Sequence, residues 1–175
     1  MGKNYKEIMN QVNTFVFDVD GVLTDGTIHI SSQGELTRKM NAKDGYALKS
    51  AVDAGYRVCI ISGGSNPGVS MRLEGLGIED IFLGVQDKIT AFRTYIDRHK
   101  IAPEQIVYMG DDIPDFQVMQ QVGLPSCPKD AVPEIQQVAK YISQIKGGKG
   151  CVRDVIEQVM KVQGQWQLPD NTSHN

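Results

Sequence analysis

Short runs of β-branched and aromatic residues punctuate the chain at Thr14 to Phe17, Arg57 to Ile61, Ile81 to Leu83 and Ile106 to Met109, with weaker ones at Leu124 to Cys127 and Tyr141 to Ile142. Runs this apolar suit strands covered on both faces. Between them, apolar residues recur at helical spacing over Tyr46 to Ala54, Val69 to Leu76, Lys88 to Arg98, Phe116 to Val122 and Val132 to Val138, and a last helix is predicted at about Val152 to Gln163. Strand then helix, repeated, predicts an α/β fold with a parallel sheet and helices on both faces. Gly55, Gly77 and Gly123 follow three of the helices, where glycine can take the left-handed cap.

One stretch breaks the alternation. Thr27 to Lys39 reads as two strand-like halves around a Gln33-Gly34 turn, a small β-hairpin inserted after the first strand and a possible lid. Past the last helix, Gln165 to Asn175 is polar apart from Trp166 and Leu168. The expected organisation is therefore one domain over residues 1–163 and a loose tail over 164–175.

Composition narrows the class. A chain of 175 residues, 41% hydrophobic, supports one globular core. With 18 basic and 21 acidic residues the net charge is −3, so neither nucleic acid nor an acidic membrane is an expected partner. Three scattered cysteines form neither a disulfide framework nor a zinc spacing. No apolar run approaches the roughly 20 residues that cross a bilayer, and residues 1–12 lack a signal core. A soluble cytoplasmic protein is expected.

The strongest chemical signal is Phe15-Val-Phe-Asp18-Val-Asp20-Gly21, an apolar strand ending in two acids one residue apart. Ligands of open parallel sheets bind beyond the carboxyl ends of strands, where these acids fall. Extended residues two apart point to one side at roughly 6.6 Å. Taken alone, the pair is also what a turn cap looks like. Gly110-Asp111-Asp112-Ile113-Pro114-Asp115 adds three acids at the end of another predicted strand. Five carboxylates at two strand ends call for a cation, and a hard oxygen-ligand site suits magnesium. Asp18 and Asp111 are the expected side-chain ligands, with Asp112 and Asp115 behind them or capping a turn. Ser62-Gly63-Gly64 offers a hydroxyl and exposed amides to a phosphate. Lys88 starts a helix, where the dipole disfavours a cation unless anions satisfy it.

Asp18-Val-Asp20-Gly-Val-Leu-Thr24, Ser62, Lys88 and Gly110-Asp111-Asp112-x-x-Asp115, in this order, resemble the four motifs of the haloacid dehalogenase superfamily. Thr24-Asp25-Gly26, the short hairpin, Lys43-Asp44-Gly45 and Gly147-Gly-Lys149-Gly-x-x-Arg153 further resemble the 3-deoxy-D-manno-octulosonate 8-phosphate phosphatase family. The resemblance implies a Rossmann-like sheet without a large cap domain. It implies a magnesium-dependent phosphoric monoester hydrolase in lipopolysaccharide precursor synthesis, acting on a small phosphorylated sugar acid. Asp18 would be the nucleophile, Asp20 the general acid and base and, through its backbone carbonyl, a metal ligand, and Ser62, Gly63 and Lys88 the phosphate binders. It also implies a homotetramer whose hairpins pack together, each site roofed by a neighbouring subunit.

Two departures stand out. The family often has Ser-Gly-Arg where this chain has Ser62-Gly63-Gly64, and of an arginine cluster in the following helix only Arg72 remains. Arg72, Lys149 and Arg153 are the candidates for binding the substrate carboxylate, each also readable as a solvated surface charge. A phosphatase for a nine-carbon ulosonate 9-phosphate is the rival within the class, and an inactive assembly or regulatory module the rival outside it. His29, His99 and His174 lack a metal-ligand spacing and read as ordinary hairpin, helix and tail residues.

Overall fold

The computed structural model describes residues 4–169. In chain order the elements are α1 (Tyr5–Met9), β1 (Thr14–Phe17), β2 (His29–Ile30), β3 (Leu36–Thr37), α2 (Ala42–Asp53), β4 (Arg57–Ile61), α3 (Pro67–Glu74), β5 (Asp80–Phe82), α4 (Lys88–His99), β6 (Ile106–Met109), α5 (Phe116–Met119), β7 (Leu124–Cys127), α6 (Pro133–Val138), β8 (Tyr141–Ile142) and α7 (Cys151–Val162). Six strands form a parallel sheet in the order β5-β4-β1-β6-β7-β8. From β1 the chain winds outward through β4 and β5, then returns to β6 and winds the other way. The crevice between the ends of β1 and β6 is thus the topological switch point, where such sheets bind ligands.

Strand periodicity sorts the core into two layers. Phe15, Phe17, Val58, Ile60, Val107 and Met109 face α2, α3 and α7, while Val16, Cys59, Ile61, Ile106 and Tyr108 face α4, α5 and α6. Each fully buried side chain of this size contributes about 1.5–3 kcal/mol. Val152, Val155, Ile156, Val159 and Met160 of α7 bury one apolar stripe on the first layer, the pattern expected of a helix laid on a sheet. No helix among the described residues is long and apolar enough to cross a membrane.

Most predicted boundaries hold within two residues. The start of α2 does not: it lies four residues ahead of Tyr46, because Asn41 caps it, its side chain accepting from the Lys43 amide at 2.8 Å. The short α1 has no counterpart among the predicted helices; it is capped by Asn4 and buries Ile8 and Met9. Gly55 and Gly77 have positive φ, as expected of left-handed caps, but Gly123 does not. Gly123 is needed for space: a Cβ there would lie 2.0 Å from the Glu104 carbonyl oxygen.

The hairpin forms where expected. β2 and β3 pair antiparallel, His29 opposite Thr37 and Ile30 opposite Leu36, and Gly34 takes a positive φ in the connecting turn. Beyond α7 the chain docks before it ends. The Gln165 and Trp166 amides donate to the Met160 carbonyl, and the half-buried Trp166 ring meets Tyr46 edge-on at 6.2 Å. The remainder of the expected tail, residues 170–175 with His174, lies outside the described residues.

Candidate active site

The site begins where β1 stops. Asp18 is extended and nearly buried, its Oδ1 accepting from the Val19 amide at 2.6 Å. Asp20 follows in non-helical backbone, and Gly21 at φ 87° reverses the chain. That glycine is also required for proximity, since a Cβ would sit 1.9 Å from Asp111 Oδ2. A backbone carbonyl and a backbone amide of this loop are approached closely from the far end of the chain. A Cβ on Gly147 would lie 1.9 Å from the Gly21 carbonyl oxygen, and one on Gly148 would lie 2.4 Å from the Asp25 amide nitrogen. The glycines before Lys149 therefore serve to seat this segment against the β1 loop.

At the end of β6, Asp111 meets Asp18 across the crevice. Asp18, Asp111 and Asp115 each bring an oxygen into a cluster within 4.8 Å. Their bonding separates them. Asp115 is saturated: Oδ1 accepts from Lys88 Nζ at 2.8 Å and from the Tyr108 hydroxyl at 2.6 Å, and Oδ2 accepts from the Asp111 and Asp112 amides. Asp112 caps the following helical turn, accepting from the Ile113 amide at 2.8 Å. Asp111 Oδ1, by contrast, is buried with no hydrogen-bond partner among the described residues. An orphaned carboxylate oxygen beside a second carboxylate fits a divalent cation, and magnesium takes few carboxylates and keeps room for a phosphate oxygen. Asp115, although inside the cluster, has no lone pair to spare and instead shapes the loop.

The electrostatics agree. Burial, then the Asp115 charge, pushes Asp18 up to about 7, against the attraction of Lys88. Burial, then Asp18 and Asp115, pushes Asp111 up to about 8. Such acids ionise together only when positive charge is supplied. Lys88 supplies part of it from the first turn of α4, its Nζ 2.9 Å from Asp18 and 2.8 Å from Asp115. These two carboxylates explain a lysine at a helix N-terminus.

Asp18, Asp20, Ser62, Gly63, Lys88, Asp111, Asp112 and Asp115 all line one open cavity of about 410 Å³. Ser62 is buried, and its Oγ accepts from the Gly64 amide at 3.3 Å. α3 begins at Pro67, two residues before the predicted Val69, and its Gly68 and Val69 amides are taken by the Asn66 side chain.

A family model for haloacid dehalogenase-like hydrolases matches residues 74–153. The chain is 37% identical over 154 residues to the 3-deoxy-D-manno-octulosonate 8-phosphate phosphatase of Escherichia coli, an alignment covering 88% of this chain and 82% of that protein. It belongs to that phosphatase family. Among solved structures of the family, the Yersinia pestis phosphatase superposes with a TM-score of 0.90 at 33% identity, covering 94% of this chain and 89% of that one. The Moraxella catarrhalis phosphatase, solved with magnesium, phosphate and KDO, superposes with a TM-score of 0.88 at 32% identity, covering 91% of each chain.

Three basic residues singled out in the sequence stand away from the phosphatase cavity. Arg72 is exposed and borders a separate cavity of about 420 Å³ with Thr37, Arg38, Met40 and Asn66. Its guanidinium lies against α2, where a Cβ on Gly45 would meet it at 2.5 Å. Lys149 lies 3.9 Å from Asp25. Arg153 stacks over Tyr46 and Trp166 and pairs with Glu157. Asp44, in the Lys43-Asp44-Gly45 motif, accepts from the Arg153 amide at 2.8 Å and so ties α2 to the start of α7. Burial pushes it up to about 6.

Sequence reasoning missed Arg38. It lies at the exit of the hairpin, with its side chain only 5% exposed, and binds Asp20 through two hydrogen bonds. The only signal available was a basic pair, Arg38-Lys39, ending a polar ribbon, which reads equally well as solvated charge.

Proposed function

We propose that this chain hydrolyses 3-deoxy-D-manno-octulosonate 8-phosphate to KDO and phosphate, with magnesium, through an aspartyl-phosphate on Asp18. The observation that carries this reading is the pairing of Asp18 with the orphaned Asp111 carboxylate at the switch point, braced by Lys88, in a member of this phosphatase family. Asp18, Asp111 and the Asp20 backbone carbonyl would hold the ion. When bound, magnesium supplies positive charge that lets both carboxylates ionise and draws charge from the phosphoryl oxygens.

The chain's own residues do the rest. Asp18 attacks phosphorus in line, and Asp20 gives a proton to the departing sugar oxygen. Asp20 then takes a proton from the water that displaces Asp18 and frees phosphate. The Ser62 hydroxyl, the Gly63 amide and Lys88 hold the transferring oxygens, with Lys88 already 2.9 Å from the nucleophile. Phosphate release from KDO 8-phosphate should require magnesium and stop in excess chelator. Turnover that survives chelation would refute the metal assignment.

Gly64, standing where the family often has arginine, favours one second reading: a nine-carbon ulosonate 9-phosphate as the substrate. A panel of sugar-acid phosphates decides it, the preferred substrate being the one with the highest kcat/KM. Arg72, Lys149 and Arg153 remain the candidates for the carboxylate, Arg72 acting from a neighbouring subunit.

The assembly reading is a homotetramer of single-domain chains in the cytoplasm. Ile28, Ile30 and Leu36 are 40%, 72% and 42% exposed on a two-stranded ribbon, which gains little stability alone. A variant carrying Ile30→Asp and Leu36→Asp should sediment as a smaller species and lose at least about tenfold in kcat/KM, about 1.4 kcal/mol. An active wild-type monomer would contradict the tetramer.

A further inference from the structure

Both oxygens of Asp20 are engaged. Arg38 Nε donates to Oδ1 at 2.6 Å, and Nη2 donates to Oδ2 at 3.1 Å. A two-stranded ribbon ordinarily leaves its arginines in solvent, yet this side chain is 5% exposed and that of Asp20 is 29% exposed. Val19, Val69 and Leu83 line the narrow gap beside it. Asn66, which caps α3, also donates its side-chain amide to the Leu36 carbonyl and fastens the ribbon two residues before Arg38. The hairpin is therefore tied to the body at the point from which the arginine projects.

Gly64 completes the arrangement. Its φ is not in the left-handed region, so the missing side chain serves space and not a turn. A Cβ there would lie 2.9 Å from Arg38 Nη2 and 3.2 Å from Asp20 Oδ2. Glycine at 64 and arginine at 38 are thus steric complements.

We propose that Arg38 is a positioning residue for the hydrolysis, anchoring Asp20 through Oδ1 and leaving Oδ2 to carry the proton. The inference rests on Asp20 being the general acid and base. The shorter bond is the anchor, and the longer bond to Oδ2 is the one exchanged for the reacting oxygen. As the bond from Asp18 to phosphorus forms and the bond from phosphorus to the sugar oxygen breaks, the proton on Oδ2 passes to that oxygen. In the second half, water's oxygen displaces Asp18 from phosphorus and Oδ2 takes the water's proton. An unanchored aspartate would sample rotamers that place neither oxygen in line, and misplacement of this kind costs rate more than binding.

The test separates proton delivery from phosphoryl transfer. Rapid-quench measurements with magnesium follow phosphoenzyme formation from KDO 8-phosphate, whose alkoxide needs a proton, and from 4-nitrophenyl phosphate, whose phenolate does not. Arg38→Ala should slow formation from the sugar phosphate by about 100-fold while leaving that from the aryl phosphate within about threefold, with KM little changed. Arg38→Lys should recover part of the loss. Gly64→Ala, which crowds the guanidinium tip, should slow the same step by a smaller factor, and the double variant should be no worse than Arg38→Ala, as coupled sites require. Equal slowing on both substrates, a rise in KM alone, or no change would overturn the proposal. Asp20→Asn leaving the sugar-phosphate step intact would instead reject the acid–base role beneath it.

Discussion

Asp18→Asn should lower kcat by at least about 10⁴-fold and yield no phosphoenzyme, since a carboxamide offers no comparable nucleophile at the same site. The same substitution should stabilise the metal-free protein. Asp18 is raised from 3.8 to about 7 in the fold, so the folded chain holds its proton more tightly than the unfolded chain. The associated stability is present below about pH 4 and lost as pH rises toward 7. Asparagine carries no such loss. In chelator at pH 8 the variant should exceed the wild type by about 2–4 kcal/mol, and at pH 4 the two should converge. Thermal melts at both values, with quench-flow for the phosphoenzyme, check the pair of effects. A variant that is inactive but no more stable at pH 8 would show that the charge of Asp18 is already compensated without the ion.

Lys88→Met should be the next most damaging change. It removes a buried cation that touches two buried acids, so the fold should lose about 3–5 kcal/mol. Turnover should fall by about 10²–10³-fold through loss of a donor aimed at the transferring phosphoryl group. Adding Asp115→Asn should restore much of the stability by removing an unpaired buried charge, and should restore none of the rate. Denaturant melts and steady-state kinetics on the single and double variants separate the two roles. Recovery of the rate in the double variant would mean that Lys88 acts only as the counter-charge of Asp115.

The fold was legible because its strands are buried on both faces and therefore nearly free of polar residues. Phe15-Val-Phe17 and Val107-Tyr-Met109 admit no other reading once helices separate them. The acids after β1 and β6 were legible for a related reason, since carboxylates abutting such runs have to be at strand ends. What escaped depends on contacts between distant residues. Asp112 and Asp115 read alike in the sequence, each either behind the metal ligands or capping a turn, and only the bonds from Lys88, Tyr108 and two amides show that Asp115 is a brace. Arg38 sits 18 residues from Asp20, and nothing local distinguishes it from Lys39. Gly123 resembled a cap because a glycine's sequence position does not say whether it is there for a dihedral angle or for room.

The two glycines before Lys149 bear on how the enzyme is made. Every carboxylate of the site has been synthesised once Asp115 leaves the ribosome, yet the loop after Asp18 is buttressed by Gly147 and Gly148, which emerge later. The helix that follows them is held by Asp44, so its docking fixes the glycine segment in place. A nascent chain therefore carries an acidic cleft that is not yet closed from behind. Catalytic competence arrives late in translation, and a stop codon after β8 would yield a polypeptide with all the chemistry of the pocket and no rigid floor beneath it.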